Sequence, residues 1–231
     1  MNSYTSLRRF AQSVLLLAAV SFAIAAQPSE GTLSHVKHAV VSITTYDAAD
    51  KPLLTGTGFF IDSDRVITNL HVVRGAHLIS IKTYDGRTYS GLRVSAANEK
   101  NDLVMLEISS PVSNVAALSA VRKIKAQGEA ITIVSLSEQR SWKVSTGLTS
   151  GNWSLLNGGE YIGLTAAIRP GNSGSPVIND GGEVVGIATL HLSSADDLNF
   201  AVPATFIATM LPYTLKPLSV PSVLLQQTNS R

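Results

Sequence analysis

Strand-length apolar runs punctuated by turn residues recur along most of this chain, and they constrain its fold more than any other feature. "AVVSITTY", "GTGFFI", "RVITNL", "LISIKTY", "TYSGLRV" and "DLVMLEI" fill the first half. Each is bounded by turn-forming residues, the signature of short antiparallel strands. A less regular stretch from Val112 to Ala126 follows, and its basic cluster at Arg122, Lys123 and Lys125 reads as a solvated face. The signals then resume with "AITIVSL", "WKVSTGLTSG", "YIGLTAAI", "SPVIND", "EVVGIATL" and "LNFAVP". Asp85-Gly86 and Asp180-Gly181-Gly182 mark hairpins, the first expected as a type I′ turn. One helical pattern stands out in the body, from Pro203 to about Leu211, with Phe206, Ile207 and Met210 on one face. Two strand-rich halves and a terminal helix predict an all-β domain of two packed six-stranded antiparallel β-barrels, about 36–110 and 126–202.

The chain ends need a separate reading. Arg8 and Arg9 precede an apolar run from Val14 to Ala26 that closes on small residues, as in a secretory signal peptide over residues 1–26. The run is shorter than the roughly 20 residues a membrane span requires, so export without stable membrane insertion is expected, to a periplasm or the exterior. Residues 213–231 carry Pro217 and Pro221 without a clear period and read as an extended or disordered tail.

Charge and cysteine usage narrow the function classes. Lys and Arg number 18 against 16 Asp and Glu, and a leader cleaved after Ala25 or Ala26 takes Arg8 and Arg9 with no acid. The remainder is formally neutral and has no basic stripe, which removes the electrostatic case for a nucleic-acid partner. With no cysteine, neither a disulfide framework nor thiolate chemistry is available. The chain is 45% hydrophobic, and its core must hold the fold by itself.

The stretch "RPGNSGSPV" at Arg169 to Val177 raises the question of a nucleophile. Taken alone it is ordinary turn chemistry. Acyl transfer by a serine also needs a base, a group to orient that base, and donors for the oxyanion. Of five histidines, His71 sits where the apolar strand "RVITNL" gives way to an expected helical turn, at a strand end of the kind that rims clefts. Asp102 stands immediately before "LVMLEI", where a carboxylate entering a buried strand needs a partner to offset desolvation. Gly171 and Gly174 flank Ser173 and free the backbone angles that let its hydroxyl stand proud of a turn. The N–H groups of Gly171 and Ser173 could then converge on one point as an oxyanion hole.

Seven segments, "GTGFFID", "VITNLHVV", "NDLVMLEI", "VSTGLTSG", "AAIRPGNSGSPV", "GEVVGIAT" and "LNFAVP", occur in this order. Together they resemble the trypsin-like protease domain of the HtrA (Deg) family from about residue 36 to residue 211. The order His, Asp, Ser matches the chymotrypsin arrangement. The resemblance implies a chymotrypsin-like double barrel with the active site in the cleft between its halves. It also implies His71 as general base, Asp102 as its orienting partner and Ser173 as nucleophile. Protein or peptide substrates are expected, with neither a metal nor an organic cofactor.

By the same resemblance, Thr165, Ile168, Arg169, Thr189, Leu190 and His191 should border the primary specificity pocket. A small or medium aliphatic side chain is the expected occupant, and an acidic one is the alternative if His191 faces it. The family usually has Asp where this chain has Thr165, Asn where it has Arg169, and Gly where it has Ser175. The stretch after Leu211 leaves no room for the family's PDZ domain, and "DAADKPLL" is too short for a long regulatory loop. Two other functions fit the same fold: a catalytically idle binding module, because function lives in the site rather than the fold, or an esterase using the same three residues.

Overall fold

A computed structural model describes residues 27–125, 127–154, 158–192 and 198–210, apart from the side chains of 190–192. The expected leader and tail lie outside the described residues.

Seven strands form the first half: β1 (Val40–Tyr46), β2 (Pro52–Asp62), β3 (Arg65–Asn69), β4 (Leu78–Lys82), β5 (Thr88–Ser90), β6 (Arg93–Asn98) and β7 (Leu103–Glu107). They make one antiparallel sheet in the order β5-β4-β1-β2-β3-β7-β6. The second half is a closed barrel of β8 (Gln127–Leu136), β9 (Trp142–Ser154), β10 (Glu160–Leu164), β11 (Pro176–Ile178), β12 (Val184–Leu192) and β13 (Leu198–Pro203).

Strand pleating explains why the apolar runs are continuous rather than alternating. Val66, Val104, Leu106, Phe60 and Val41 face the interior of the first half. Their neighbours Ile67, Leu103, Met105, Phe59 and Val40 face the opposite way, into a cluster shared with Tyr161, Phe200 and Ile187 of the second half. Successive side chains on a strand point to opposite faces, so a strand buried on both sides must be apolar at every position. The shared cluster is the seam that fixes one half against the other.

Two expectations are corrected. The body holds a second helix, α1 (Glu30–Ala39), ahead of the first strand, where the sequence pattern predicts only the helix from Pro203. Ser29 caps it by accepting from the Thr32 N–H at 3.1 Å, and Val36 and Ala39 are fully buried in the seam. Its apolar stripe is too thin to stand out from sequence, because Ser34, His35, Lys37 and His38 fill the other faces. A four-residue helical turn, α2 (Leu70–Val73), follows β3, and α3 (Thr205–Met210) follows β13.

The second correction concerns the hairpins. Only Gly86 of Asp85-Gly86 has positive φ (91°). Gly86 N–H bonds Thr83 O at 2.9 Å and Thr83 N–H bonds Arg87 O at 2.9 Å. The loop is therefore a type I turn closed by one left-handed residue, a G1 bulge, and not type I′. The same pattern recurs with Asp50, Arg140 and Gly182 as the left-handed residue.

Candidate active site

Pairing register brings His71 and Asp102 together. β3 runs antiparallel to β7 with Asn69 opposite Leu103, so the turn that continues β3 passes over the residue that precedes β7. Leu70 N–H and Asn69 Nδ2 both donate to the Asp102 carbonyl, at 3.0 and 3.1 Å. These bonds hold Asp102 in the left-handed region, φ 53°, an uncommon conformation for a residue with a side chain. Its carboxylate then meets three donors. His71 N–H bonds Oδ1 at 2.8 Å, His71 Nδ1 lies 2.5 Å from Oδ2, and Thr189 Oγ1 donates to Oδ2 at 3.1 Å. An ionised carboxylate can only accept, so the ring proton is on Nδ1, and in the neutral imidazole Nε2 keeps a free lone pair.

Ser173 is carried by a turn of the second half that is bolted to the first. Ser173 O accepts from Thr57 N–H at 2.9 Å, and Thr57 Oγ1 donates to Gly171 O at 2.8 Å. Thr57 O in turn accepts from Thr68 Oγ1 at 2.7 Å. Gly56 permits the approach: a methyl group there would lie 2.8 Å from Val72, the residue after His71, and 3.2 Å from Ser173 O. Strand β2 thus holds the Ser173 turn against the helical turn that carries His71.

The turn before Ser173 has a definite type. Asn172 N–H bonds Arg169 O at 2.9 Å, Pro170 follows Arg169, and Gly171 has φ 89°. This is a type II turn with Pro and Gly at the positions that suit them. Among the described residues, neither the Gly171 nor the Ser173 N–H is engaged in a hydrogen bond. Two unspent donors one residue apart beside a half-buried serine are the elements of an oxyanion site.

The expected pocket residues fall into different places. Thr165 is exposed and tied to β9, its Oγ1 accepting from Leu148 N–H at 2.8 Å. Ile168 is 7% exposed within the second barrel's core, its N–H held by Asn199 Oδ1 at 2.9 Å. Its side chain therefore fills the barrel and is not an open wall. Arg169 is exposed and makes no ion pair among the described residues. The Thr189 hydroxyl serves Asp102, a role the sequence reading missed. Leu190 and His191 lie on β12 opposite Phe200 and Asn199, and their side chains lie outside the described residues. A cleft of about 500 Å³ borders Pro170 and Gly171 and is walled by Leu53, Leu54, Glu138 and Lys143.

Comparison with known proteins bears on the family and the fold. A family model described as "trypsin-like peptidase domain" matches residues 56–187. The serine protease Do-like HtrB of Bacillus subtilis is 33% identical over 176 residues, 70% of this chain and 38% of that protein. The serine protease HTRA1 of Xenopus laevis is 30% identical over 164 residues, 66% of this chain and 34% of that protein. The chain therefore spans less than half the length of these curated relatives. Among solved structures, the active form of the Rv3671c protease of M. tuberculosis superimposes with TM-score 0.72 at 20% identity, covering 84% of this chain and 92% of that one. The HtrA-type protease AlgW with a tripeptide gives 0.69 at 23% identity, covering 78% and 61%. Seven ordered sequence segments, the barrel topology and a family match over more than half its length place this chain in the trypsin-like peptidase family.

Proposed function

We propose that this chain is an exported serine endopeptidase. The observation that carries the reading is the His71–Asp102 pair, whose bond at ring Nδ1 leaves Nε2 of His71 available to act as a base. Ser173 Oγ attacks the carbonyl carbon of a peptide bond and passes its proton to His71 Nε2. The carbonyl oxygen takes the negative charge and is met by the Gly171 and Ser173 N–H groups. One such donor is worth about 3–4 kcal/mol in the transition state. The C–N bond then breaks, the departing amine takes the proton from His71, and the acyl group stays on Ser173. Water repeats the sequence in reverse roles, releasing the acid and restoring the serine.

Export rests on the leader pattern in residues 1–26 and places the enzyme in a periplasm or outside the cell. Substrates are proteins or peptides. The test is labelling of the folded protein with a fluorophosphonate probe, with Ser173→Ala as control, followed by a peptide library. Labelling that depends on Ser173 and cleavage of library peptides are the expected results. No labelling would leave an idle binding module, and turnover of small esters without peptide cleavage would leave an esterase.

A further inference from the structure

Beneath the type II turn lies a closed polar cluster that takes no direct part in the chemistry above. Ser135 near the end of β8, Asn172 and Ser175 are 2%, 5% and 0% exposed. Asn172 Oδ1 accepts from Arg169 N–H at 2.7 Å. Asn172 Nδ2 donates to Ser135 Oγ, and the Ser135 and Ser175 hydroxyls are 2.7 Å apart. Asn172 therefore grips Arg169 twice, through its own N–H on the Arg169 carbonyl and through its side-chain oxygen on the Arg169 N–H.

Types I and II turns differ chiefly in the orientation of the central peptide, which here joins Pro170 to Gly171. Reversing that peptide turns the Gly171 N–H through about half a turn, away from any point it shares with the Ser173 N–H. What selects one type is how firmly Arg169 and Asn172 are held at the two ends. The Asn172 amide has one fixed orientation only if its NH₂ finds an acceptor, and in this buried place the acceptor is Ser135 Oγ. Ser175 in turn restricts the Ser135 hydroxyl rotor. A buried polar network that is fully paired is rigid, and one that is partly paired is not.

We infer that Ser135 and Ser175 are positioning residues for the oxyanion donor: through Asn172 they hold the type II turn and the aim of the Gly171 N–H. This inference rests on the reading of Ser173 as nucleophile. Both hydroxyls are buried beneath the turn, so their effect on rate passes through Asn172. The side chain of Ser175 also distinguishes this chain from the usual glycine of the HtrA pattern that it resembles.

The test uses Ser135→Ala and Ser175→Ala in the full chain, with kcat and KM on a cleavable peptide, the Ki of a peptide boronate, and a thermal melt. Ser135→Ala strips Asn172 Nδ2 of its acceptor, whereas Ser175→Ala removes only the second link. Expected losses in kcat are about tenfold and about threefold respectively, with KM within about twofold. The boronate forms a tetrahedral adduct on Ser173, so its Ki should rise by the same factors as kcat falls. Folded variants with unchanged kcat and boronate Ki would overturn the inference, as would losses confined to melting temperature. If Ser135→Ala does not fold, Ser175→Ala alone decides by the same criterion. The failures are distinguishable: wild-type protein that takes no fluorophosphonate overturns the nucleophile reading, and with it this inference, before any variant is compared. Wild-type labelling with indifferent variants overturns the positioning role alone.

Discussion

Asp102 holds His71 at two places at once, Oδ1 on the backbone N–H at 2.8 Å and Oδ2 on ring Nδ1 at 2.5 Å. A single bond would let the imidazole swing, whereas this pair fixes the ring and the segment that carries it. Asp102→Asn tests the arrangement with little change of shape. Asparagine tolerates the left-handed φ of 53°, and its oxygen can still serve the backbone N–H. Its amide donor then faces Nδ1 and forces the ring proton onto Nε2, where a base is needed. A fall in kcat of about 10⁴-fold, with melting temperature nearly unchanged, is expected from peptide cleavage assays and thermal melts.

Thr189 supplies the third donor to the same carboxylate, and it is 5% exposed. Thr189→Val replaces the hydroxyl with a methyl of similar size and leaves one acceptor site on Oδ2 unmet. The expected cost is about 1 kcal/mol in orientation of the pair, or roughly fivefold in kcat/KM. Thr189→Ser keeps the donor and should stay within about twofold of wild type. A loss in Thr189→Ser with Thr189→Val unchanged would show that the methyl group, not the hydroxyl, matters.

Two glycines one turn apart should respond to alanine in opposite ways. A methyl at Gly171 meets nothing within 4 Å, so the only penalty is its φ of 89°. Gly171→Ala should fold, relax the turn, and lose about a hundredfold in kcat as the oxyanion donor turns away. A methyl at Gly174 would sit 2.0 Å from Thr57 O and 2.2 Å from Thr68 Oγ1, also at positive φ. Gly174→Ala must therefore break the seat of the Ser173 turn on β2, and soluble expression or melting temperature should collapse. Circular dichroism melts separate the two outcomes.

Much of this was legible from residue pattern, and the reasons are local. His71, Asp102 and Ser173 each stand at a junction between an apolar strand and a turn, a place a linear reading can find. The continuous runs "FFI" and "LVML" read as strands, and the structure shows why they do not alternate: they are buried on both faces. Helix α1 was not legible, because two fully buried residues among polar neighbours carry little periodic signal. The Thr189 hydroxyl and the Ser135–Ser175 pair were hidden for a different reason. Threonine and serine in a strand read equally well as surface or as buried donors, and only the fold says which acceptor they meet. The resemblance places Ile168 on a pocket wall, whereas its side chain is buried in the cluster of the second barrel.

The hairpin between β4 and β5 offers a check on electrostatics away from the site. Asp85 Oδ1 accepts from Thr83 Oγ1 at 2.5 Å and Oδ2 from Arg87 Nε at 2.7 Å. The Thr83 bond first, and Arg87 after it, hold the Asp85 carboxyl below its ordinary value of 3.8 against the opposing effect of burial. A carboxyl depressed in the folded state adds stability above its unfolded value, and that stability is lost as pH falls through the folded one. The two side chains are 50% and 40% exposed, so water screens the pair and the contribution is small. Asp85→Asn should lower the melting temperature by about 1–2 °C at pH 7. The gap should close as pH drops below about 4, and fluorophosphonate labelling at pH 7 should equal that of the wild type. A gap that widens in acid would reverse the assigned sign.

The cleft beside Gly171 bears on which peptides are cut. Leu53 and Leu54 on β2 are 45% and 48% exposed, and together with Pro170 they line one wall of the cleft. Thr165 and Thr189, by contrast, are not among its lining residues, so the cleft is a separate place from the expected primary pocket. Under the proposed chemistry, a substrate whose carbonyl oxygen rests at the Gly171 N–H is expected to lay its leaving, amine-side half along this cleft past Leu54. Peptides with an apolar residue shortly after the scissile bond should be favoured, since burying a Leu-sized side chain is worth about 1.5–3 kcal/mol. Leu54→Asp should then reduce kcat/KM for such peptides by about tenfold or more, while peptides with a basic residue there lose less or gain. Library profiling of the variant against wild type reads this directly. An unchanged profile after the bond would place the leaving half of the substrate elsewhere.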